Sequence, residues 1–271
     1  MTPSVQIFDT TLRDGLAAPN FALSPEERFK IASQLDLAGV DVIEAGYALG
    51  KKQDLAALRA IAPVLLRAIA CGLASSSPDD IDAIGVALER ARHGRINTYA
   101  STRLRRTTDG ERVLAEIHAS VSRALNWTDD VQWTAMDSTR SDRDFLCRAV
   151  ETAIHSGATT VCLADTVGIS TPLELTELVT SVSQRVPNIS QARIAVHCHD
   201  DLGRAVVNSI AAVEAGASQI ECTLNGLGPQ RGNAHLEQII ACMEGKHEVT
   251  TAIVAELSEF IERRTNSRVE S

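Results

Sequence analysis

The chain contains the run Val196-His197-Cys198-His199-Asp200-Asp201-Leu202-Gly203, in which two histidines stand one residue apart. Residues i and i+2 of an extended chain point to the same side, so both imidazoles can reach one metal ion. Two histidines can also share a polar core network, and the pair alone does not decide between these readings. A hydrophobic run, 193–196, precedes the pair, and a polar segment follows it. The pair therefore lies where a strand ends and a helix begins, which favours a divalent-metal site.

Similar apolar runs recur along the whole chain and predict eight strands. They lie at 5–12, 40–47, 65–71, 95–101, 131–136, 160–164, the histidine run and 219–224. Helical segments separate them at a spacing of roughly 30 residues, and Ser24-Pro25-Glu26-Glu27 is one typical helix start. This alternation favours an α/β fold, a (β/α)8 TIM barrel. The alternative is an open doubly wound sheet, but no dinucleotide glycine fingerprint follows the first strand.

Length and composition agree with one barrel domain. The chain has 271 residues, and a closed α/β barrel needs about 250. We expect the barrel at 1–249 and a C-terminal helix and tail at 250–271. Hydrophobic residues make up 44% and aromatic residues 3%, which describes an aliphatic core. A net charge of −9 argues against a nucleic-acid surface.

No window of 18 consecutive apolar residues occurs, and the N-terminus lacks a basic segment followed by an apolar one. A soluble, cytoplasmic protein without a membrane partner is therefore expected. The six cysteines show no CxxC spacing, which favours reduced, buried thiols.

In a barrel the C-terminal ends of all strands meet on one face. Polar residues that close the predicted strands would therefore surround one pocket, although they are far apart in sequence. These residues are Arg13, Asp14, Glu44, Asn97, Asp137, Asp165, Thr166, His197, His199 and the loop 225–233.

Five motifs within these strand ends carry a family resemblance. They are Phe8-Asp9-Thr10-Thr11-Leu12-Arg13-Asp14-Gly15, Val42-Ile43-Glu44-Ala45-Gly46, Asp165-Thr166-Val167-Gly168, the histidine run, and Asn225-Gly226-Leu227-Gly228 through Gly232-Asn233. Together they resemble the DRE-TIM metallolyases, and most closely the isopropylmalate and homocitrate synthase branch. The superfamily also includes hydroxymethylglutaryl-CoA lyase and some 2-oxo acid aldolases. The resemblance extends from about residue 4 to residue 243.

The resemblance implies a metal-dependent reaction of a 2-oxo acid. One divalent ion (Mg²⁺, Mn²⁺ or Zn²⁺) would polarise the oxo-acid carbonyl. Arg13 would stabilise the developing oxyanion, and Glu44 would orient Arg13 as the second member of a catalytic pair. The expected metal ligands are Asp14, His197, His199 and Asn233, and the expected substrate contacts are Arg13, Thr166, Asn97 and Asp137. Glu44 can also simply balance a buried arginine, and Asp14 can be a turn aspartate.

Several positions depart from the family pattern. The synthases carry Glu-Asp where this chain has Met136-Asp137, and a thioether cannot take the glutamate's acid/base role. Leu16-Ala17 replaces Glu-Gln, Asn97 stands in place of a histidine, and Pro229-Gln230 replaces Glu-Arg. The cysteine that the lyases carry in the last loop is missing too. These changes indicate an altered substrate or mechanism.

We expect the chain to end soon after the barrel, with a last helix at 250–264 and without the subdomains that complete the synthase active site. It would act as a bare barrel, as a homodimer, or with a complementing subunit. The basic run Arg103-Leu104-Arg105-Arg106 is either a solvated loop or a site that attracts an anionic acyl-CoA.

Three functions remain open at this point. The leading hypothesis is Claisen-type condensation of a 2-oxo acid with an acyl-CoA such as acetyl-CoA. The second is a lyase or aldolase of the same superfamily, and the third is a metal- and oxo-acid-binding subunit without turnover of its own.

Overall fold

The computed structural model describes residues 4–50, 52–105 and 109–266, and within them eight parallel strands form one closed barrel in sequence order. Strand β8 closes the barrel by pairing with β1, with Gln6 opposite Gln219 and Asp9 opposite Cys222. The predicted TIM barrel is confirmed. The strands are β1 Gln6–Asp9, β2 Val42–Tyr47, β3 Ile69–Ala74, β4 Gly94–Ser101, β5 Asp130–Met136, β6 Thr160–Asp165, β7 Arg193–Cys198 and β8 Gln219–Cys222.

Helices on the outside cover the barrel. Their bounds are α1 Pro25–Ala38, α2 Lys52–Ile61, α3 Pro78–Leu88, α4 Gly110–Ala124, α5 Arg143–His155, α6 Pro172–Arg185, α7 Ala205–Glu214, α8 Leu236–Cys242 and α9 Thr251–Asn266. The start predicted for α1 is confirmed, because the Ser24 side chain and Glu27 form a reciprocal capping box. The last helix, α9, packs on α1, where Arg264 pairs with Glu27 at 2.8 Å. Residues 267–271 of the predicted tail lie outside the described residues.

The third strand begins later than the sequence pattern predicted. The apolar run predicted a strand from Leu65 to Cys71, but β3 starts at Ile69. The buried Asp36 carboxylate binds the backbone N–H groups before this strand and so holds them in a turn. The donors are Leu66 at 2.9 Å, Arg67 at 2.9 Å and Ala68 at 2.6 Å.

The core is aliphatic, as expected, and it contains the fully buried Trp133 of β5. All six cysteines are free, and five are buried while Cys242 is exposed. Across the described ranges, none of the helices combines the length and the apolar character needed to cross a membrane.

Candidate active site

Three of the four predicted metal ligands come together at the C-terminal end of the barrel. One ligand atom from each of Asp14, His197 and His199 lies within 4.8 Å of the other two. The Nε2 atoms of the two histidines are 3.4 Å apart, and Nε2 of His197 is 3.9 Å from Oδ2 of Asp14. All three side chains are buried. The i, i+2 spacing therefore places both imidazoles on one side of the chain, as predicted.

Asn233, the fourth predicted ligand, lies against this cluster. Its Nδ2 donates to Oδ2 of Asp14 at 2.8 Å and to the Leu227 carbonyl at 2.9 Å. Its Oδ1 is buried and has no hydrogen-bond partner within the described part of the chain. Nδ1 of His199 is likewise buried and has no hydrogen-bond partner there. Buried polar atoms rarely stay unpaired, so an amide oxygen left open beside a carboxylate and two imidazoles indicates a place for a cation. This donor set fits Mg²⁺, Mn²⁺ or Zn²⁺.

The charge states of the cluster also suit a cation. Burial raises the pKa of Asp14, but the charges of Arg13 and His197 outweigh it and lower that pKa to about 2. Burial and the neighbouring His197 lower the pKa of His199 to about 4. At neutral pH the cluster therefore offers an ionised carboxylate and a neutral imidazole, which are the forms that bind metals.

A line of hydrogen bonds inside the barrel orients His197. Arg95 donates from an Nη atom to Oε1 of Gln219 at 2.8 Å, and Nε2 of Gln219 donates to Oε1 of Gln132 at 2.9 Å. Nε2 of Gln132 donates to Oε1 of Glu221 at 2.6 Å, and Oε2 of Glu221 lies 2.9 Å from Nδ1 of His197. A guanidinium can only donate, so every bond in the line has one direction and Nδ1 of His197 must carry a proton. We call the five residues of this line the barrel relay. In the neutral form of the His197 ring, which is the form that binds a metal, the lone pair lies on Nε2, which is 3.4 Å from Nε2 of His199 and 3.9 Å from Oδ2 of Asp14.

Sequence reasoning missed the barrel relay, although Glu221 in β8 alternates with apolar residues and so offered a signal. Burial by itself lowers the pKa of His197, but the hydrogen bond and the charge of Glu221 raise it overall. A carboxylate partner for a metal-binding histidine is a common arrangement that fixes the ring and its tautomer.

Arg13 and Glu44 form the ion pair that the sequence predicted. Nε of Arg13 donates to Oε2 of Glu44 at 2.6 Å, and an Nη atom of Arg13 contacts the Asp14 carboxylate. Glu44 is fully buried and also accepts from Thr10 at 2.8 Å and from Nδ2 of Asn97 at 3.1 Å. The guanidinium is thus fixed beside the candidate metal ligands, with its charge directed into the same space.

A cavity of about 280 Å³ opens above these groups. Six predicted site residues line it, namely Arg13, Asp14, Asn97, Thr166, His197 and His199. The Thr166 hydroxyl accepts from the Asp137 backbone N–H at 2.8 Å, and its own hydrogen remains available to a ligand.

Asp137, a predicted substrate contact, adjoins the cavity through its backbone bond to Thr166. Among the described residues, the lining of the cavity does not include it. Its backbone turns to φ 59° at the end of β5, and its carboxylate accepts two hydrogen bonds from Arg140, each at 2.6 Å. Met136, the residue before it, lines the cavity instead.

Two tyrosines in the cavity wall were also missed. Tyr47 ends β2, Tyr99 lies in β4, and their hydroxyl oxygens are 2.8 Å apart. Aromatic residues in strands usually belong to the core, so their position alone gave no functional signal.

A second cavity of about 540 Å³ adjoins the first and shares Tyr99 and Met136 with it. Arg103, Arg105 and Arg112 line this second cavity. Arg106, the last residue of the predicted basic run, lies outside the described residues.

Comparison with known proteins shows the family to which the chain belongs. The HMGL-like family model matches residues 4–262. A 2-isopropylmalate synthase of Rhodopseudomonas palustris (strain BisB5) is 46% identical over 249 residues, which are 90% of this chain and 48% of that protein. The corresponding enzyme of Afipia carboxidovorans is 47% identical over 252 residues, with the same shares of 90% and 48%. The chain thus spans about half the length of the curated relatives it matches.

Solved structures show the same fold. An HMG-CoA lyase from Acinetobacter baumannii, solved with coenzyme A and 3-methylmalate, has a TM-score of 0.81 at 20% identity over 96% of this chain and 91% of that one. The carboxyl transferase domain of Rhizobium etli pyruvate carboxylase has a TM-score of 0.80 at 16% identity, over 98% of this chain and 48% of that one. At these identities the likeness concerns the fold alone.

Proposed function

Because the chain belongs to the HMGL-like family of DRE-TIM metallolyases, we propose that it is a metal-dependent carbon–carbon bond enzyme that condenses a 2-oxo acid with an acyl-CoA. The resemblance to the isopropylmalate synthase branch is confirmed by relatives that bear that name at 46% and 47% identity. Because those relatives are about twice as long, the identity of the oxo acid and of the acyl donor is part of the proposal.

One observation carries this proposal: a fixed guanidinium shares a cavity with a carboxylate and two imidazoles whose ligand atoms lie within 4.8 Å. Asp14, His197, His199 and Asn233 would hold a divalent ion there, which would supply Lewis-acid polarisation of a carbonyl group. Arg13, held by Glu44, supplies a positive charge that needs no reorganisation when an oxyanion develops.

Other residues in the lining suit the carboxylate and the side chain of an oxo acid. The Thr166 hydroxyl can donate to the substrate carboxylate, and Leu73, Met136 and Ala164 provide apolar contacts. The neighbouring cavity is lined by Arg103, Arg105 and Arg112 together with Asp109 and Glu116, and Arg112 pairs with Glu116 at 3.0 Å. Its surplus of one positive charge suits the phosphate groups of an acyl-CoA that enters past Tyr99.

Met136 bears on the choice between an active condensing enzyme and a binding subunit without turnover. It lines the cavity where the family resemblance places a glutamate acid/base, and a thioether cannot exchange a proton. Condensation in this chain therefore uses another base, or the chain binds substrates without turnover. Met136→Glu discriminates: new turnover in a protein that had none would favour the binding-subunit hypothesis.

The test is a thiol-release assay. Protein loaded with Mg²⁺ or Mn²⁺ is mixed with acetyl-CoA and a panel of 2-oxo acids, and free CoA is followed with and without chelator. We expect chelator-sensitive release that depends on one class of oxo acid. The reverse reaction is tested in parallel with 3-hydroxy acids and their CoA thioesters. Cleavage without condensation would replace the proposal by the lyase alternative, and neither reaction with retained oxo-acid binding would support a binding subunit.

A further inference from the structure

The hydroxyl groups of Tyr47 and Tyr99 form a polar spot in the wall of the first cavity. They are the only tyrosines in the sequence, and they belong to strands β2 and β4, with β3 between them. Both side chains are half-buried and line the cavity together with the apolar residues Leu73 and Met136. We call them the tyrosine pair.

The tyrosine pair has one hydrogen left to donate. In the contact of 2.8 Å one hydroxyl donates to the other, so the accepting tyrosine keeps its own O–H hydrogen. Within the described ranges, neither hydroxyl has a further protein partner that could accept this hydrogen. Burial, followed by the hydrogen bond with Tyr47, raises the pKa of Tyr99. Tyr99 therefore stays protonated at neutral pH, and the hydrogen left on the pair makes it a hydrogen-bond donor rather than a base.

The cavity leaves little freedom for the substrate side chain. Under the proposed function, Arg13, Thr166 and an ion held by the predicted ligands would fix the oxygens of the oxo-acid group. The rest of the molecule must then lie in the remainder of a space of about 280 Å³, whose wall includes the tyrosine pair. A purely aliphatic side chain placed there would bury the open hydroxyl without a partner, which is unfavourable.

We propose that the tyrosine pair is a specificity element that selects 2-oxo acids whose side chain carries an oxygen able to accept a hydrogen bond. This inference rests on the proposed function, because it needs an oxo acid anchored at the metal cluster. The recognised chemistry is a hydroxyl or carbonyl oxygen a few bonds from the oxo group.

Binding of two nearly isosteric acids tests the inference. Isothermal titration of Mn²⁺-loaded protein compares 4-hydroxy-2-oxobutanoate with 2-oxopentanoate, in which a methyl group replaces the hydroxyl. We expect the hydroxy acid to bind about threefold to tenfold more tightly, which is the range for one hydrogen bond. In the double variant Tyr47→Phe/Tyr99→Phe the ratio should fall to about one or below.

The second ligand is the control for structural damage. If the double variant lowers the affinity for both acids by the same factor, the pair has only a structural role in the cavity wall and the inference is wrong. Equal binding of the two acids to the unaltered protein would also overturn it. If the unaltered, loaded protein binds neither acid, the proposed function itself fails, and this outcome is distinct because it appears before any variant is compared.

A turnover measurement tests whether the tyrosine pair instead donates to the thioester carbonyl of the acyl-CoA. If condensation is active and the double variant lowers kcat with both oxo acids while their affinities keep the original ratio, the hydroxyls act on the thioester carbonyl. That result would refute the assignment to the oxo-acid side chain.

Discussion

Glu221→Gln provides the sharpest test of how the barrel prepares the proposed metal site. Glu221 accepts from Gln132 at 2.6 Å on one oxygen, and its other oxygen lies 2.9 Å from Nδ1 of His197. In the variant, the amide oxygen must turn to Gln132, whose donor is fixed by the direction of the barrel relay. The amide NH2 then faces His197, which must accept at Nδ1 and move its proton to Nε2.

A protonated Nε2 cannot bind a metal. Before it can bind the ion, the variant must therefore break the new hydrogen bond to His197 or reverse the donor and acceptor roles along the barrel relay. A hydrogen bond to a charged group contributes about 1.5–3 kcal/mol, which corresponds to a roughly 10- to 150-fold weaker metal affinity. We expect a loss in this range, with little change in the circular dichroism spectrum. Competition between the protein and a fluorescent chelator for Mn²⁺ or Zn²⁺ measures it.

Glu237→Gln is the matched control. Glu237 is not one of the predicted metal ligands; it accepts from the Asn225 backbone N–H at 2.9 Å, and a glutamine can still accept there. Its metal affinity should equal that of the unaltered protein. An affinity of Glu221→Gln within twofold of that control would refute the relay argument, as would nitrogen NMR shifts that show Nδ1 of His197 still protonated in the variant.

Three further predictions concern other parts of the molecule. His199→Ala should remove one metal ligand and abolish oxo-acid binding, whereas His155→Ala, at the exposed end of α5, should change neither; unchanged metal stoichiometry in the first variant would reject the ligand assignment. Arg103→Ala should raise KM for the acyl-CoA about twofold to fivefold and leave KM for the oxo acid unchanged in steady-state assays, because a half-exposed charge contributes little more. Burial raises the pKa of Asp9 from 3.8 to about 7 despite its bonds with Thr11, so the folded state holds the proton more tightly than the unfolded chain. The free energy of unfolding should therefore fall as pH rises through this window, by at most ~4 kcal/mol, and urea titrations between about pH 5 and pH 7.5 should show a shallower slope for Asp9→Asn.

The fold and the meeting of Asp14, His197 and His199 were predictable from local periodicity and barrel topology, whereas their assignment as one set of metal ligands came from the family resemblance. The spacing of His197 and His199 fixed their common direction, and the rule that parallel strands end on one face of a barrel placed Arg13 and Asp14 beside them. Asn233 joined the group through the family motif rather than through periodicity.

Long-range polar contacts were not predictable from the pattern. Asp36 delays β3 because its carboxylate meets backbone donors about 30 positions later, which no local motif records. Asp137 adopts a left-handed backbone conformation directly after β5, and its carboxylate pairs with Arg140, neither of which a local motif predicted. Tyr47 and Tyr99 meet across an intervening strand, so their contact depends on side-chain length as well as strand order.

The barrel relay also has a consequence for protein engineering. In barrels of this type the active site lies at the C-terminal face, whereas the opposite face relates to stability, so the two faces are easily treated as independent. Here Arg95 lies near the start of β4, at the face opposite the cavity. The direction in which it donates is passed through three side chains of the barrel relay and fixes the tautomer of His197 near the end of β7. Replacing Gln132 and Gln219 by leucine to make the core more apolar would therefore remove the hydrogen bonds that orient His197 and would weaken metal binding at the opposite face. Mutant libraries for this scaffold should vary both faces together.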